Sequence, residues 1–430
     1  MKFNFQLILI IAFIVAAVFG VLVFSGAIPI GGGSEGSLGT VVLWGTVPTA
    51  LMTQPLEEFN DANPTFVLKY EEKSADTFDQ DLLEALASGV GPDLFFISDD
   101  LAYGYANKII AIPYASYPVA TFKNIFAGAG EVFLTSQGIM AFPLSIDPLL
   151  LYHNRSMLDA KGIVFPPKDW AEFSIDVAKL TDKDDANTIS RSGVALGQYA
   201  NVTHAKDILA MLFMQAGNPI VTEQGDRLKS TLDTPVGTYS LPSIVQFYTS
   251  FADPNSALYS WNRSFASSVD VFSREDLAFY FGYASELQSL VNKNPNQNFF
   301  IASVPQIKDA KTKLTLARVT GVAVSSASKN INTALTAASL LSSTDFAAKY
   351  AAMLGVAPAR RDLLAVPPTE DSFSPIFYSS ALYARSWLDP SPVDTDNIFR
   401  GMVNSVLSNN LTESDAVKDA SSKLELLLLK

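Results

Sequence analysis

From Thr40 onward, short apolar runs bounded by turns alternate with stretches whose apolar residues recur every three or four positions. Thr40-Val41-Val42-Leu43-Trp44 is β-branched and aromatic, and predicts a strand. A loop at 45–48 and a helix around 55–62 follow, with Pro55 suited to a first helical turn. Residues 67–70 predict a second strand, and Phe78, Leu82, Leu83 and Leu86 mark one helix face. Gly89-Val90-Gly91-Pro92-Asp93 stops that helix before a short buried strand at 94–97. Strand and helix alternating in this way predict an α/β fold with a parallel sheet.

Residues 138–173 read as a strand (139–143), a short polar crossing, an apolar segment ending at Tyr152-His153-Asn154, and a helix running into Gly162. Pro166-Pro167 then open a helix led by Trp170. Further on, helices are predicted at 208–215, 242–251 and 333–341, and strands at 298–305 and 321–325. An apolar strand within 276–286 turns at Gly282 into a helix start. The tail from 396 to 429 is helical in pattern, with Phe399, Met402, Val403, Val406 and Leu407 on one face.

The N-terminus changes the picture. Residues 7–24 carry no charge, and 18 residues at helical rise span about 27 Å, close to a hydrocarbon core. Lys2 is the only charge before Glu35, which orients the N-terminus toward the cytoplasm. An uncleaved transmembrane helix is expected, with a secretory signal cut near Ser25-Gly26-Ala27 as the alternative. Either reading puts the globular part outside the cytoplasm. Residues 30–38 are a Gly/Ser-rich flexible linker.

At 430 residues the chain exceeds one ordinary domain. With 43 acidic and 30 basic side chains its net charge is −13, which argues against nucleic acid and against a polybasic grip on lipid. There is no cysteine, hence no disulfide, thiolate metal site or Cys nucleophile. The two histidines, His153 and His204, lack metal-ligand spacing, so neither metal nor cofactor is expected.

Asp147 is a lone carboxylate between Ile146 and Pro148 in an otherwise apolar run. Burying it without partners is costly, so it either finds donors in a turn or faces a cleft. Ligands of parallel sheets collect at the carboxyl ends of strands. That makes Asp99 and Asp100 cleft candidates, with a helix N-cap as the plain alternative. No G-x-S-x-G, H-E-x-x-H or P-loop is present. A glycoside hydrolase would need two carboxylates across a sugar, and only Asp147 with Asp99 or Asp100 could be proposed.

Several segments resemble the extracellular solute-binding proteins, specifically the maltose-type carbohydrate-binding components of ABC transporters. Tyr152, Asn154, Arg155, Gly162, Ile163, Pro166, Pro167, Trp170, Glu172 and Phe173 match that family's Y-N-K/R … G-I-x-P-P-x-x-W-x-E-F pattern. Ser88–Asp93, the Tyr259-Ser260-Trp261-Asn262 and Phe281–Glu286 passages, 298–305, Gly355–Arg360 and Ser386–Pro390 are similar to further family segments. The resemblance implies a two-lobed periplasmic-binding-protein-like fold of class II type with a multiply crossed hinge, the crossings lying near 143–148, 302–307 and 342–346. Residues 1–37 would form the anchor and linker, 38–146 plus 306–343 the first lobe, and 147–305 plus 344–430 the second. It further implies permease subunits as partners, and a small solute, by default a sugar or oligosaccharide, bound between the lobes. Trp44, Thr46, Asp99, Asp100, Asp147, Tyr199, Trp261, Tyr283, Ser285 and Trp387 would line that site. Rings suit this role because the C–H face of a pyranose packs flat on them. Without the resemblance, Trp44, Trp261, Tyr259 and Tyr283 read as readily as core aromatics. Arg360-Arg361, the chain's adjacent arginines, would find either an acidic partner or a ligand.

Overall fold

The β-branched run at the start forms strand β1 (Thr40–Gly45), followed by α1 (Thr49–Ala62), β2 (Val67–Glu72), α2 (Phe78–Ala87) and β3 (Leu94–Ser98). These are elements of a computed structural model that describes residues 38–225, 227–234, 239–369 and 371–429. β1 lies between β2 and β3, parallel to both. Helix α3 (Asp99–Tyr105) starts directly at the end of β3.

Strand β4 (Ala141–Asn154) is the backbone of the whole molecule. It is 14 residues long, and Asp147 is its only residue that is not fully buried. The sequence reading broke it into a strand and a separate apolar segment around a polar crossing. Ser145 and Asp147 are instead two alternate positions of one continuous strand, as a period of two allows. Beyond it come α4 (Trp170–Leu180), β5 (Ile189–Val194), α5 (Ala205–Gln215), α6 (Leu241–Ser250), β6 (Leu277–Tyr283) and β7 (Phe299–Ala302). Strand β8 (Thr315–Val324) is longer than the predicted 321–325 and extends N-terminally through Arg318.

Residues 141–148 of β4 pair antiparallel with β8, and β8 pairs antiparallel with β3, completing the first sheet. Past Pro148 the same strand changes partners. Residues 149–153 pair with β6 and residues 151–154 with β7, while β6 runs parallel to β5. One strand therefore passes through two sheets and builds the core of two lobes.

Helices α7 (Ile331–Leu341), α8 (Thr344–Leu354) and α9 (Ser374–Tyr383) follow, then α10 (Pro392–Leu407) and α11 (Glu413–Leu428). Residues 342–346, where a third crossing is expected, lead from α7 into α8. Helix α8 packs on the first lobe: Phe346 meets Phe59 at 5.7 Å between centroids, Tyr350 meets Phe96 at 5.0 Å, and Lys349 pairs with Glu58. Arg361 donates to the carbonyls of Lys123 and Phe126, and Arg360 pairs with Asp362, which accounts for both arginines structurally. Past Tyr383 the chain runs on to α10 and α11. These pack on each other and on α6.

Among the described residues no helix is long and apolar enough to cross a membrane. The predicted span at 7–24 and the linker up to residue 37 lie outside the described residues.

Candidate functional site

A cavity of about 640 Å³ opens beside Ala317 and Arg318, the β8 partners of Pro148 and Asp147, where β4 passes from one sheet to the other. This size lies within the range of small-molecule sites. Both lobes wall it. The first contributes Asp99 and Asp100 from the opening turn of α3; the second contributes Tyr199, the start of α5 and Tyr283 from the end of β6. Segment 386–389 and the first turns of α10 close the remaining side.

Each polar group here is placed by a definite partner. Asp99 accepts from the Val319 amide at 2.9 Å and from the Ser386 hydroxyl. Burial, then the neighbouring Asp100 charge, pushes its pKa up to about 7. Asp100 accepts from the hydroxyl of Ser98. Both acids line the cavity because they sit in a helical first turn and not in an extended strand, where successive side chains diverge.

The loop before α5 turns at Gly197, whose φ of +87° is a left-handed value. The Tyr248 hydroxyl donates to the Gln198 carbonyl at 2.7 Å and fixes that loop. Tyr199 then reaches Asp396, donating to Oδ1 at 2.7 Å, and Arg400 pairs with the same carboxylate. Lys206 forms a buried pair with Asp389 at 2.8 Å. Burial raises the pKa of Asp389, and Lys206 opposes that shift.

Glu286 organises the floor. It accepts from His204 at 2.5 Å, from the Tyr280 hydroxyl at 2.5 Å and from the Tyr283 amide at 2.9 Å. Burial would raise its pKa, yet these bonds, led by His204, hold it below the usual range. Arg318 lies over the Tyr283 ring, 4.0 Å from its centroid, and 3.3 Å from Asp207.

Of the residues singled out from sequence, Asp99, Asp100, Tyr199, Tyr283 and Trp387 meet at this cavity. The other five lie outside its lining. Trp261 is wholly buried, stacked on Phe265 at 4.5 Å and donating to Asn201, so no face is open to a solute. The Trp44 indole donates to Glu71 and is covered by Lys73 at 3.7 Å. Thr46 is exposed at the end of the first strand. Asp147 accepts from the amide of Ser285 at 3.1 Å and its hydroxyl at 2.6 Å, so these two candidates satisfy each other.

Arg318, Lys206, Asp207, His204, Asp389, Asp396 and Arg400 were not singled out. Arg318 carried the same signal as Asp147, a lone charge inside an apolar strand. The cluster His204-Ala205-Lys206-Asp207 at a helix start was a second readable sign.

A family model described as "Bacterial extracellular solute-binding protein" matches residues 45–348. The chain belongs to that family. Binding proteins of Brucella abortus (strain 2308) and Brucella suis biovar 1 are 27% identical over 126 residues, and the match spans 28% of this chain and 30% of their length. Among solved structures, a cyclo/maltodextrin-binding protein complexed with maltotetraose aligns over 93% of this chain and 98% of its own, at 16% identity and TM-score 0.73. A solute-binding protein of Thermotoga lettingae bound to α-D-tagatose aligns over 90% and 99%, at 21% identity and TM-score 0.63. The maltose/maltodextrin-binding domain of Bdellovibrio bacteriovorus bound to maltotriose aligns over 91% and 100%, at 16% and 0.63. At these identities the likeness establishes the two-lobed fold of this solute-binding protein.

Proposed function

We propose that the protein is the extracytoplasmic receptor of an ABC importer, and that it binds a sugar or short oligosaccharide between its lobes. The observation that carries this reading is the cavity at the seam of the two sheets. It combines aromatic side chains (Tyr199 and Trp387, with Tyr283 beneath Arg318) with carboxylates already held in fixed hydrogen bonds. Oriented acceptors of that kind suit hydroxyl groups, and rings suit the C–H faces between them. The solved relatives named above carry maltotetraose, tagatose and maltotriose, which makes carbohydrate the ligand class to try first. The lobes would comprise 38–146 with 306–343 and 147–305, with residues 344–383 assigned to the first lobe and the rest to the second. The partner would be a membrane-embedded permease, and residues 7–24 would tether the receptor to the membrane.

A hydrolase is a poorer fit. Asp147 spends both oxygens on Ser285 outside the cavity, so it and Asp99 do not flank one ligand. Thermal-shift screening of residues 38–430 against mono- and oligosaccharides decides the matter, since a ligand of the native state alone raises the midpoint. A rise for a sugar, without cleavage of it, is the expected result. No rise with any sugar, or turnover of an oligosaccharide, overturns the proposal. Retention of the full chain on membranes through a high-salt wash checks the tether; a mature soluble form beginning near Ala27 would refute it.

A further inference from the structure

Tyr283 lines the cavity and yet exposes none of its surface to it. The cover is intramolecular. Arg318 sits over one face of the ring at 4.0 Å, and His204 meets the ring edge-on at 4.9 Å. The Tyr283 hydroxyl makes no hydrogen bond of ordinary geometry, with the Asp207 carboxylate acting on it nearby. The Arg318 side chain, by contrast, retains 55% of its exposure, so it lies in the cavity and not beneath it.

The placement of Arg318 in the fold gives this contact a second meaning. Its strand is fixed to the first sheet, through pairing with β3 and β4 and through the bond from the next residue's amide to Asp99. Its guanidinium, however, makes its direct contacts with second-lobe groups, the Tyr283 ring and Asp207, 3.3 Å away in the first turn of α5, while the charges of Asp147 and Asp99 also act on it. A guanidinium is planar and stacks on aromatic faces much as a sugar ring does.

We propose that Arg318 is a built-in competitor for the solute: in the empty receptor it occupies the Tyr283 face and latches the first-sheet strand to the second lobe, and binding requires it to swing aside. This inference rests on the cavity being the solute site. A competing internal contact lowers apparent affinity by the fraction of molecules in the open, competent state, so a latch closed nine times in ten weakens binding about tenfold. Its role would be to keep the cleft closed to weak ligands that cannot displace it.

The decisive variant is Arg318→Met, which keeps the length and apolar stem but removes the charge and the planar head. Without ligand, R318M should show a larger radius of gyration by small-angle scattering. Amide hydrogen exchange should also be faster at 204–208 and 283–286 than in wild type. With a sugar that raises the wild-type midpoint, R318M should bind about tenfold tighter. Asp207→Asn, which releases the ion pair and leaves the stacking, should give part of the same gain, and the double variant no more than R318M alone. Unchanged scattering and exchange overturn the latch whether or not any solute is known. Weaker or unchanged sugar affinity in R318M overturns the competitor role, making Arg318 a solute donor or a plain structural pair. If no sugar binds wild type while R318M still loosens the empty protein, the carbohydrate reading fails and the latch stands.

Discussion

Asp99 sits at the centre of the cavity wall with its pKa raised to about 7 by burial and by Asp100. A carboxyl whose folded pKa exceeds its unfolded value near 4 favours the folded state most when protonated. That contribution is complete below about pH 4 and is lost as pH rises through about 7. Asp99→Asn preserves both bonds, its oxygen accepting from Val319 and its amide donating to Ser386. The variant should therefore melt higher than wild type at pH 8, with the gap closing toward pH 5 in paired calorimetric scans. Asp147→Ala should behave differently. It removes two bonds to Ser285 outside the cavity, so stability should fall by about 1 kcal/mol while sugar affinity stays within twofold or so. Trp261→Ala empties a wholly buried ring position and should cost about 3–5 kcal/mol, read in denaturant unfolding, with no separate effect on the site.

At the scale of elements, the loop from β5 to α5 delivers both Tyr199 and the His204–Asp207 cluster. Gly197 is its constraint: φ is +87°, and an added Cβ would lie 2.5 Å from the Ala252 nitrogen. Gly197→Ala should lower stability by about 1–3 kcal/mol and weaken binding through Tyr199. Thermal melts and titration of the same samples would show both losses together. Most elements were legible in the sequence because each had its own rhythm and its own punctuation, as at Gly89–Asp93 or Pro166-Pro167. The side chains of the site were legible where a motif carried them, and at Asp99 and Asp100, where the end of a parallel strand did. Tyr199, Tyr283 and Trp387 came from the resemblance; so did Trp261, whose identical chemistry is spent on packing against Phe265. Arg318 could not be assigned, because what matters is its register opposite Asp147, and pairing between residues some 170 positions apart leaves no local trace. The packing partner of α8 is hidden for a related reason. Phe346 and Tyr350 mark an apolar face without saying which lobe supplies its other half.

For the whole molecule, the lobe division proposed above implies bending about Asp147-Pro148 and about the segments at 303–314 and 384–391. Hinge closure of this kind is a general repertoire of receptors with a central cleft. In R318M, whose latch is released, a saturating sugar should therefore reduce the radius of gyration in solution scattering. An unchanged R318M curve with a confirmed ligand would mean that the lobes do not close about these segments.

The shared strand also dictates when the protein can fold. Residues 149–153 need β6 and residues 141–148 need β8, so the second sheet lacks an inner partner until residue 283 has been made and the first until the chain extends beyond residue 315. Loops of that length must close before the pairing repays their entropy, and chains dominated by distant pairings fold slowly. The nascent chain should thus stay unstructured through most of its synthesis, a state compatible with threading across a membrane. A fragment ending at residue 310 should have no protected strand at 94–98 in hydrogen exchange, although every residue of β1, β2 and β3 is present.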